Sequence, residues 1–201
     1  MPRWMQIVTS ITIALCVTIL IILICLGVLF SSRGPIFFKQ SRIGLNGREF
    51  DLIKFRTMFV DADHTEHQNR NTQEYENKIN PINGLFKQDN DPRVTSVGRF
   101  LRRYSLDELP QLWNVIRGDM NLVGPRPVEP YEAQLIPLAY QERFAVKPGL
   151  TGLWQVSGRN ELSNLQMLEL DLEYVQTRSF WKDVWILTKT PRAAFWDAKT
   201  A

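Results

Sequence analysis

The chain has no charged residue between Arg3 and Arg33, and inside that gap Ile11 to Phe30 reads ITIALCVTILIILICLGVLF. Twenty such residues as a helix cover about 30 Å, the thickness of a bilayer's hydrocarbon core. This feature constrains the chain more than any other, because the segment belongs in a membrane. It is not a cleavable signal peptide, since the run is too long and Leu29-Phe30-Ser31-Ser32-Arg33 leads directly into the next domain. The expected division is a membrane-embedded helix over 1–33, a soluble domain over 34–190 and a C-terminal tail over 191–201. Across all 201 residues, 44% hydrophobic and 22% charged content describes a globular chain rather than a disordered one.

Charge around the apolar run sets the expected orientation. Ser31 to Met58 holds Arg33, Lys39, Arg42, Arg48, Lys54 and Arg56 against Glu49 and Asp51, and a basic flank stays on the cytoplasmic side. The same charges attract anionic headgroups, so a pI near 8.9 calls for no nucleic acid. Basic and aromatic residues do not interleave in the way that stacks bases, and no nucleic-acid partner is expected. Both cysteines, Cys16 and Cys25, lie in the apolar run. They suggest neither a disulfide framework nor a metal site, and the cysteine-free soluble part fits a reducing compartment.

Downstream, the pattern predicts an α+β domain that is mostly helical, with a short β-hairpin and amphipathic helices at the membrane interface. Pro35 to Phe38 and Phe50 to Ile53 read as short strands around the turn Asn46-Gly47. Residues 61–91 are polar and read as a helix followed by a loop; there His64 and His67 with Asp61 and Asp63 are weighed as metal ligands, and a solvated helix face is preferred. Thr95 or Ser96 opens a helix with Val97, Phe100 and Leu101 towards a core and Arg99, Arg102 and Arg103 away from it. Gly118 to Pro127 is too rich in Gly and Pro for a regular element and reads as a structured loop. A longer helix to about Phe144, a turn at Lys147 to Gly152, and a last helix with the stripe Leu165, Leu168, Leu172 and Val175 follow. The tail from Ser179 to Trp196 mixes aromatic and basic residues, which suits a membrane interface and a packed helix equally.

One stretch raises a chemical question. Ser105 to Val115 reads SLDELPQLWNV, with Asp107 and Glu108 adjacent near a helix start. Ser105 and Glu108 fit a capping box, or the helix begins at Leu109 with Pro110 first; Leu109, Leu112, Trp113 and Ile116 then share a face and Gly118 ends it. On that stretch alone capping is the better reading. Arg99, Arg102 and Arg103 before the pair, Arg126 between two prolines after it, and Arg159 beyond it change the balance. Guanidinium groups clamp phosphate. Two carboxylates beside a phosphate need a divalent cation, Mg²⁺ being the natural choice, and a carboxylate can attack phosphorus to give an acyl phosphate. A glycosidase pair fits less well, because its carboxyls must flank a bond from opposite sides.

The blocks GPIFFKQSRIG, KFRTM, DPRVTSVGRFLRRYSLDELPQLWNVIRGDMNLVGPRP and KPGLTGLWQVSGRN, spread from about Gly34 to Thr190, make the chain resemble the bacterial sugar transferases, the monotopic phosphoglycosyl transferases. The resemblance implies transfer of a sugar 1-phosphate from a UDP-sugar to polyprenyl (undecaprenyl) phosphate, with release of UMP, as the first step of a surface glycan such as exopolysaccharide, capsule, O-antigen or a glycoprotein glycan. By the same resemblance Asp107 is the nucleophile that forms an aspartyl phosphosugar, with Mg²⁺ close to Asp107 and Glu108. Arg102 holds the lipid phosphate, Pro125-Arg126-Pro127 lies against the nucleotide, Lys54 and Arg56 stand near the site, and Arg159 is a further binding residue. The implied location is the inner membrane of a bacterium with the catalytic domain on the cytoplasmic face, the bilayer is a partner, and a homodimer is one candidate assembly.

The sequence departs from that family at one point. Its N-terminal helix usually breaks at a Ser-Pro pair and re-enters the same face, whereas no proline occurs here between Pro2 and Pro35. Thr18 and Gly27 are alternative sources of a kink; a straight span is physically adequate too, and a re-entrant form is the one expected. Two other functions use the same residues. A Mg²⁺-dependent nucleotide-sugar hydrolase would pass the Asp107 intermediate to water, and a membrane-anchored scaffold would use the acids only as caps.

Overall fold

The computed structural model describes residues 1–16, 18–60, 72, 91–158 and 162–195. The predicted helix and loop of 61–90, with His64 and His67, and the end of the chain from 196 lie outside the described residues. Among the described residues no single helix is long and apolar enough to cross a membrane. The apolar run forms two helices, α1 (Arg3–Cys16) and α2 (Thr18–Ser31), whose axes bend by 63° at the break. The kink falls just before Thr18. Gly27 has another role in the middle of α2, where it brings the helix against Val97; a Cβ there would lie 3.5 Å from Val97 Cγ1.

Both ends of this bent pair are tied to the rest of the fold. At its start, Arg3 donates through Nη1 to the carbonyl of Val115 at 2.7 Å and through Nη2 to that of Ile116 at 2.9 Å, occupying orphan carbonyls at a helix end. The side chain of Gln6 accepts from the Leu122 amide at 3.1 Å. At the other end of the pair, Arg56 donates to the carbonyls of Arg33 (2.6 Å), Ser32 (2.7 Å) and Val28 (3.3 Å).

The hairpin is the predicted one, with β1 (Phe37–Ile43) antiparallel to β2 (Glu49–Phe55) and Phe37 opposite Phe55. Its loop takes Asn46 and Gly47 through positive φ, 54° and 76°, which asparagine and glycine tolerate best. Beyond the hairpin, Thr95 caps α3 (Ser96–Arg103) by accepting from the Gly98 amide at 2.9 Å. A single tight turn, Leu106–Glu108, leads to α4 (Gln111–Arg117), which Gly118 closes at φ 99°.

Two corrections arise here. The Gly and Pro-rich loop contains a strand, β3 (Asn121–Val123), parallel to β4 (Gly149–Thr151). The helix expected to reach Phe144 is interrupted at Pro137 into α5 (Pro130–Leu135) and a tight 3-10 segment, Leu138–Ala145; proline lacks the amide the ladder would need. The short α6 (Leu153–Val156), α7 (Asn164–Thr177) and α8 (Phe180–Phe195) complete the chain. Thus α8 continues through Pro191 into the segment read as a tail.

Three clusters hold these elements. The largest joins Leu52, Leu112, Val115, Met120, Leu122, Val123, Leu153, Tyr174 and Ile186. A second packs Ile24 and Val28 of α2 on Phe55 and Leu101, with Leu106 and Leu109 against it, and a third joins Ile43, Val128, Ile136 and Leu168. Leu168 and Val175 of the α7 stripe are buried as expected, whereas Phe100 of α3 and Trp113 of α4 are each 56% exposed. On α4 the inward positions are Gln111, Leu112, Asn114 and Val115. Asn114 explains the rotation: its amide accepts from the Ile53 amide at 3.1 Å and donates to the Asp51 carbonyl at 2.7 Å. The side chain thereby pairs the free edge of β2 as a neighbouring strand would.

Candidate functional site

Asp107 and Glu108 sit on the tight turn between α3 and α4, not in a capping box. Ser105 adopts a left-handed conformation, φ 54° and ψ 23°, and its side chain makes no cap hydrogen bond. Capping therefore does not explain the pair. A non-glycine residue held in that region is worth noticing, since the strain must be offset by its surroundings. Here the turn is pinned by Leu106 and Leu109, which flank the acids and pack into the cluster made with α2. The carboxylates are consequently fixed beside the apolar helix.

Cations converge on the pair from three other elements. Arg126 donates to Glu108 Oε1 at 3.1 Å, and this carboxylate holds the guanidinium above its usual range. Arg102 does not face away as predicted; it is half-buried, and its Nε donates to Thr57 Oγ1 at 2.8 Å. Burial lowers the Arg102 pKa, while Asp107 and Asp91 oppose that shift. Lys54, on β2, is pushed down to about 8, first by burial and then by Arg42, with Asp107 acting in the opposite direction and Arg102 and Arg126 in the same one. Lys54, Arg102, Arg126 and the acid pair thus form one electrostatic unit.

The backing of Arg126 is built with care. Pro125 and Pro127 are buried, so they fix the backbone on either side of the arginine. The Pro125 carbonyl accepts from the Gly149 amide at 2.8 Å, and the Val128 carbonyl accepts from the Ile43 amide at 2.9 Å. Arg143 donates to the carbonyl of Arg126 itself at 2.8 Å and is paired in turn with buried Asp171. From β1, Arg42 reaches the Pro127 carbonyl at 3.2 Å and stands 3.4 and 3.5 Å from Glu129 and Glu132.

Arg56 stands apart from this unit, since its guanidinium is turned to the end of α2. Arg159 lies outside the described residues. Nothing in the sequence marks Arg143 or Asp171 as site residues, while Gln40 and Thr57 stand within motifs that assign them no role and Arg42 counts there only as part of the basic flank. No local signal could mark the first two, because their pairing spans 28 positions.

The arrangement offers a carboxylate, a second carboxylate held by a guanidinium, and further cations suited to phosphate oxygens. Among the described residues no group of three or more His, Cys, Asp or Glu could hold a metal ion. Asp107 and Glu108 alone still suit Mg²⁺, which usually takes one or two carboxylates and completes its shell with water and phosphate oxygens.

Comparison with known proteins agrees with this chemistry. A family model described as bacterial sugar transferase matches residues 1–197. The exopolysaccharide production protein ExoY of Rhizobium meliloti is 46% identical over 173 residues, covering 85% of this chain and 75% of the relative. The undecaprenyl-phosphate galactose phosphotransferase of Salmonella typhimurium is 41% identical over 167 residues, or 79% of this chain. The UDP-glucose:undecaprenyl-phosphate glucose-1-phosphate transferase of Xanthomonas campestris is 41% identical over 179 residues, or 85% of this chain. The chain spans only 33% and 34% of the lengths of those last two relatives. With its motifs in place and the family model matching residues 1–197, the chain belongs to the bacterial sugar transferase family.

Proposed function

We propose that the protein transfers a sugar 1-phosphate from a UDP-sugar to polyprenyl phosphate through an aspartyl phosphosugar. An Asp107 carboxylate oxygen attacks the phosphorus that bears the sugar, and the bond from that phosphorus to the bridging oxygen breaks, so UMP leaves with that oxygen. A phosphate oxygen of the lipid then attacks the same phosphorus, restoring the Asp107 carboxylate and forming the polyprenyl diphosphate sugar. Two displacements let one shallow site serve a water-soluble donor and a greasy acceptor in turn. The observation that carries this reading is the placing of the acid pair: its flanking leucines pack with α2, while Lys54, Arg102 and Arg126 surround it.

Each residue has a distinct task. Arg126 orients Glu108 and meets the donor diphosphate from the Pro-Arg-Pro segment. Arg102, whose helix contacts α2 through Val97, meets the lipid phosphate, and Lys54 neutralises the phosphate in transfer. Asp107 and Glu108 would hold Mg²⁺, which when bound offsets the charge of the diphosphate.

The two anchors support a re-entrant arrangement in the membrane. Arg3 ties the start of α1 and Arg56 ties the end of α2 to the same body, so the bent pair enters and leaves the bilayer on one face. Ile19 (76% exposed), Leu23 (60%) and Phe30 (83%) would then meet lipid. Trp181 and Trp185 on the open side of α8, 76% and 45% exposed, suit the headgroup boundary. Basic residues after α2 support a cytoplasmic side for that face, at the inner membrane of a bacterium.

The test is UMP release from a panel of UDP-sugars with Mg²⁺, with and without undecaprenyl phosphate. Release that requires the lipid and disappears in Asp107→Asn supports the transferase and names its sugar. Lipid-independent release identifies a hydrolase instead.

A further inference from the structure

The half-buried row on one face of the hairpin runs Phe38, Gln40, Arg42 along β1, because alternate residues of a strand share a face. Opposite Phe38 in the register stands Lys54. Its ammonium lies 5.2 Å from the centre of the Phe38 ring and donates to Gln40 Oε1 at 3.2 Å. The same oxygen accepts from Arg42 Nη2 at 2.8 Å. A carbonyl oxygen has two acceptor directions, and here each is taken by a different cation. Arg42 in turn holds the Pro127 carbonyl and the carboxylates of Glu129 and Glu132. Gln40 therefore stands where the two strands of the hairpin and the Pro-Arg-Pro segment meet.

We propose that Gln40 is a positioning residue, whose side-chain carbonyl fixes the Lys54 ammonium beside the acid pair and ties it, through Arg42, to the segment that carries Arg126. The assignment rests on the reading that Lys54 serves phosphate transfer. A neutral acceptor is what the place requires. Lys54 is faced by Arg42 from β1, Arg102 from α3, Arg126 from the loop and Asp107 from the turn, so three like charges push it away against one that attracts. Without Gln40 the ammonium would face this crowd with one acceptor fewer, which disfavours its charge and loosens its place on the flexible four-carbon stem. A carboxylate in its place would instead pair with Lys54 and compete with phosphate for it.

A double-mutant cycle tests the link. Gln40→Met and Lys54→Met are each expected to lower kcat by about tenfold or more, and the double variant to fall no further than Lys54→Met alone. Losses that multiply would show that Gln40 acts independently and would overturn the proposal. A second readout needs no turnover: trace acetic anhydride labelling of the folded protein in detergent at about pH 6.5, with the exposed Lys39 as internal reference. Gln40→Met should raise Lys54 labelling by about threefold or more, since the free amine gains where the ammonium loses its acceptor, and Gln40→Glu should keep it protected. Unchanged labelling in Gln40→Met would also overturn the proposal. If the wild type transfers no sugar phosphate, the functional reading fails, while the labelling result still decides whether Gln40 holds Lys54.

Discussion

Arg126 donates to Glu108 at 3.1 Å, and the carbonyl of the same arginine accepts from buried Arg143 at 2.8 Å. One residue thus joins the acid pair to the core of the domain, its side chain serving the site and its backbone serving the fold. Its fork geometry suits both Glu108 and a donor diphosphate, a role that a lysine cannot reproduce. Arg126→Lys should keep the fold yet lower donor turnover by about tenfold to a hundredfold, and Arg126→Met by about a hundredfold or more. Steady-state kinetics with a UDP-sugar and undecaprenyl phosphate, beside thermal unfolding of each variant, checks this. Equal turnover in Arg126→Lys and wild type would show that the fork is not used.

The lowered Lys54 pKa gives a pH dependence with opposite signs for activity and stability. With a pKa of about 8, Lys54 loses its positive charge as pH rises through that value, and transfer should decline there. Stability moves the other way. A lysine whose folded pKa lies below its unfolded value of about 10.4 penalises the fold while both states are protonated, and the penalty is relieved as pH rises between those two values. The alkaline fall in kcat, measured between about pH 6 and 10, should therefore come without loss of thermal stability, and Lys54→Met should lack that limb. A limb of the same midpoint in Lys54→Met would assign it to another group.

Some of this site could be read from the sequence and some could not. Strand alternation and Asn46-Gly47 gave the hairpin, and Gly118 gave the end of α4, because those signals are local to the backbone. The capping box failed at Ser105 since the pattern Ser-x-x-Glu says nothing of φ, and here the chain turns through a left-handed residue to bury Leu106 and Leu109. The face of α4 was misjudged because Asn114 takes an inward place to pair the edge of β2, a demand visible only once β2 is beside it. Arg102 turned inward for a similar reason, with Thr57 waiting on the chain just after β2. Arg56 was grouped with Lys54 by its motif, and two residues apart on one strand they would share a face, but β2 ends at Phe55 and the chain beyond it turns Arg56 to the end of α2.

The Arg143 and Asp171 pair is nearly sealed from water, with side chains 3% and 2% exposed. Arg143 donates from Nε at 3.2 Å and from Nη2 at 2.5 Å to a single carboxylate oxygen, Oδ2, while Oδ1 is buried without a hydrogen bond. A buried pair so incompletely satisfied does little for stability against an apolar replacement, whereas removing one partner strands a charge. Asp171→Leu alone should cost about 3 to 5 kcal/mol, and Arg143→Met with Asp171→Leu should recover most of that loss. Turnover should not recover, since the Arg126 carbonyl would still lack its donor. Denaturation in detergent gives the first comparison and transfer kinetics the second; a double variant with normal turnover would free Arg126 from this support.

Gly98 makes the last test, because it lies where α3 crosses the chain just after β2. A Cβ built there would meet the Thr57 carbonyl oxygen at 2.0 Å and its carbon at 2.7 Å. These are backbone atoms with no rotamer to retreat into, and the Thr57 carbonyl already accepts from the Thr95 amide at 3.0 Å. Gly98→Ala must therefore push α3 off this segment and stretch the Arg102 bond to Thr57 Oγ1. The expected cost is about 3 kcal/mol of stability, the upper range for overpacking, together with a raised KM for polyprenyl phosphate if Arg102 holds that group. Gly27→Ala is the control on the facing helix. Its Cβ would lie an ordinary 3.5 Å from Val97 Cγ1, so helix propensity should dominate and leave the protein as stable or up to about 1 kcal/mol more so. Equal stability of the two variants would mean that α3 can shift freely on Thr57, and the placing of Arg102 would then need another cause.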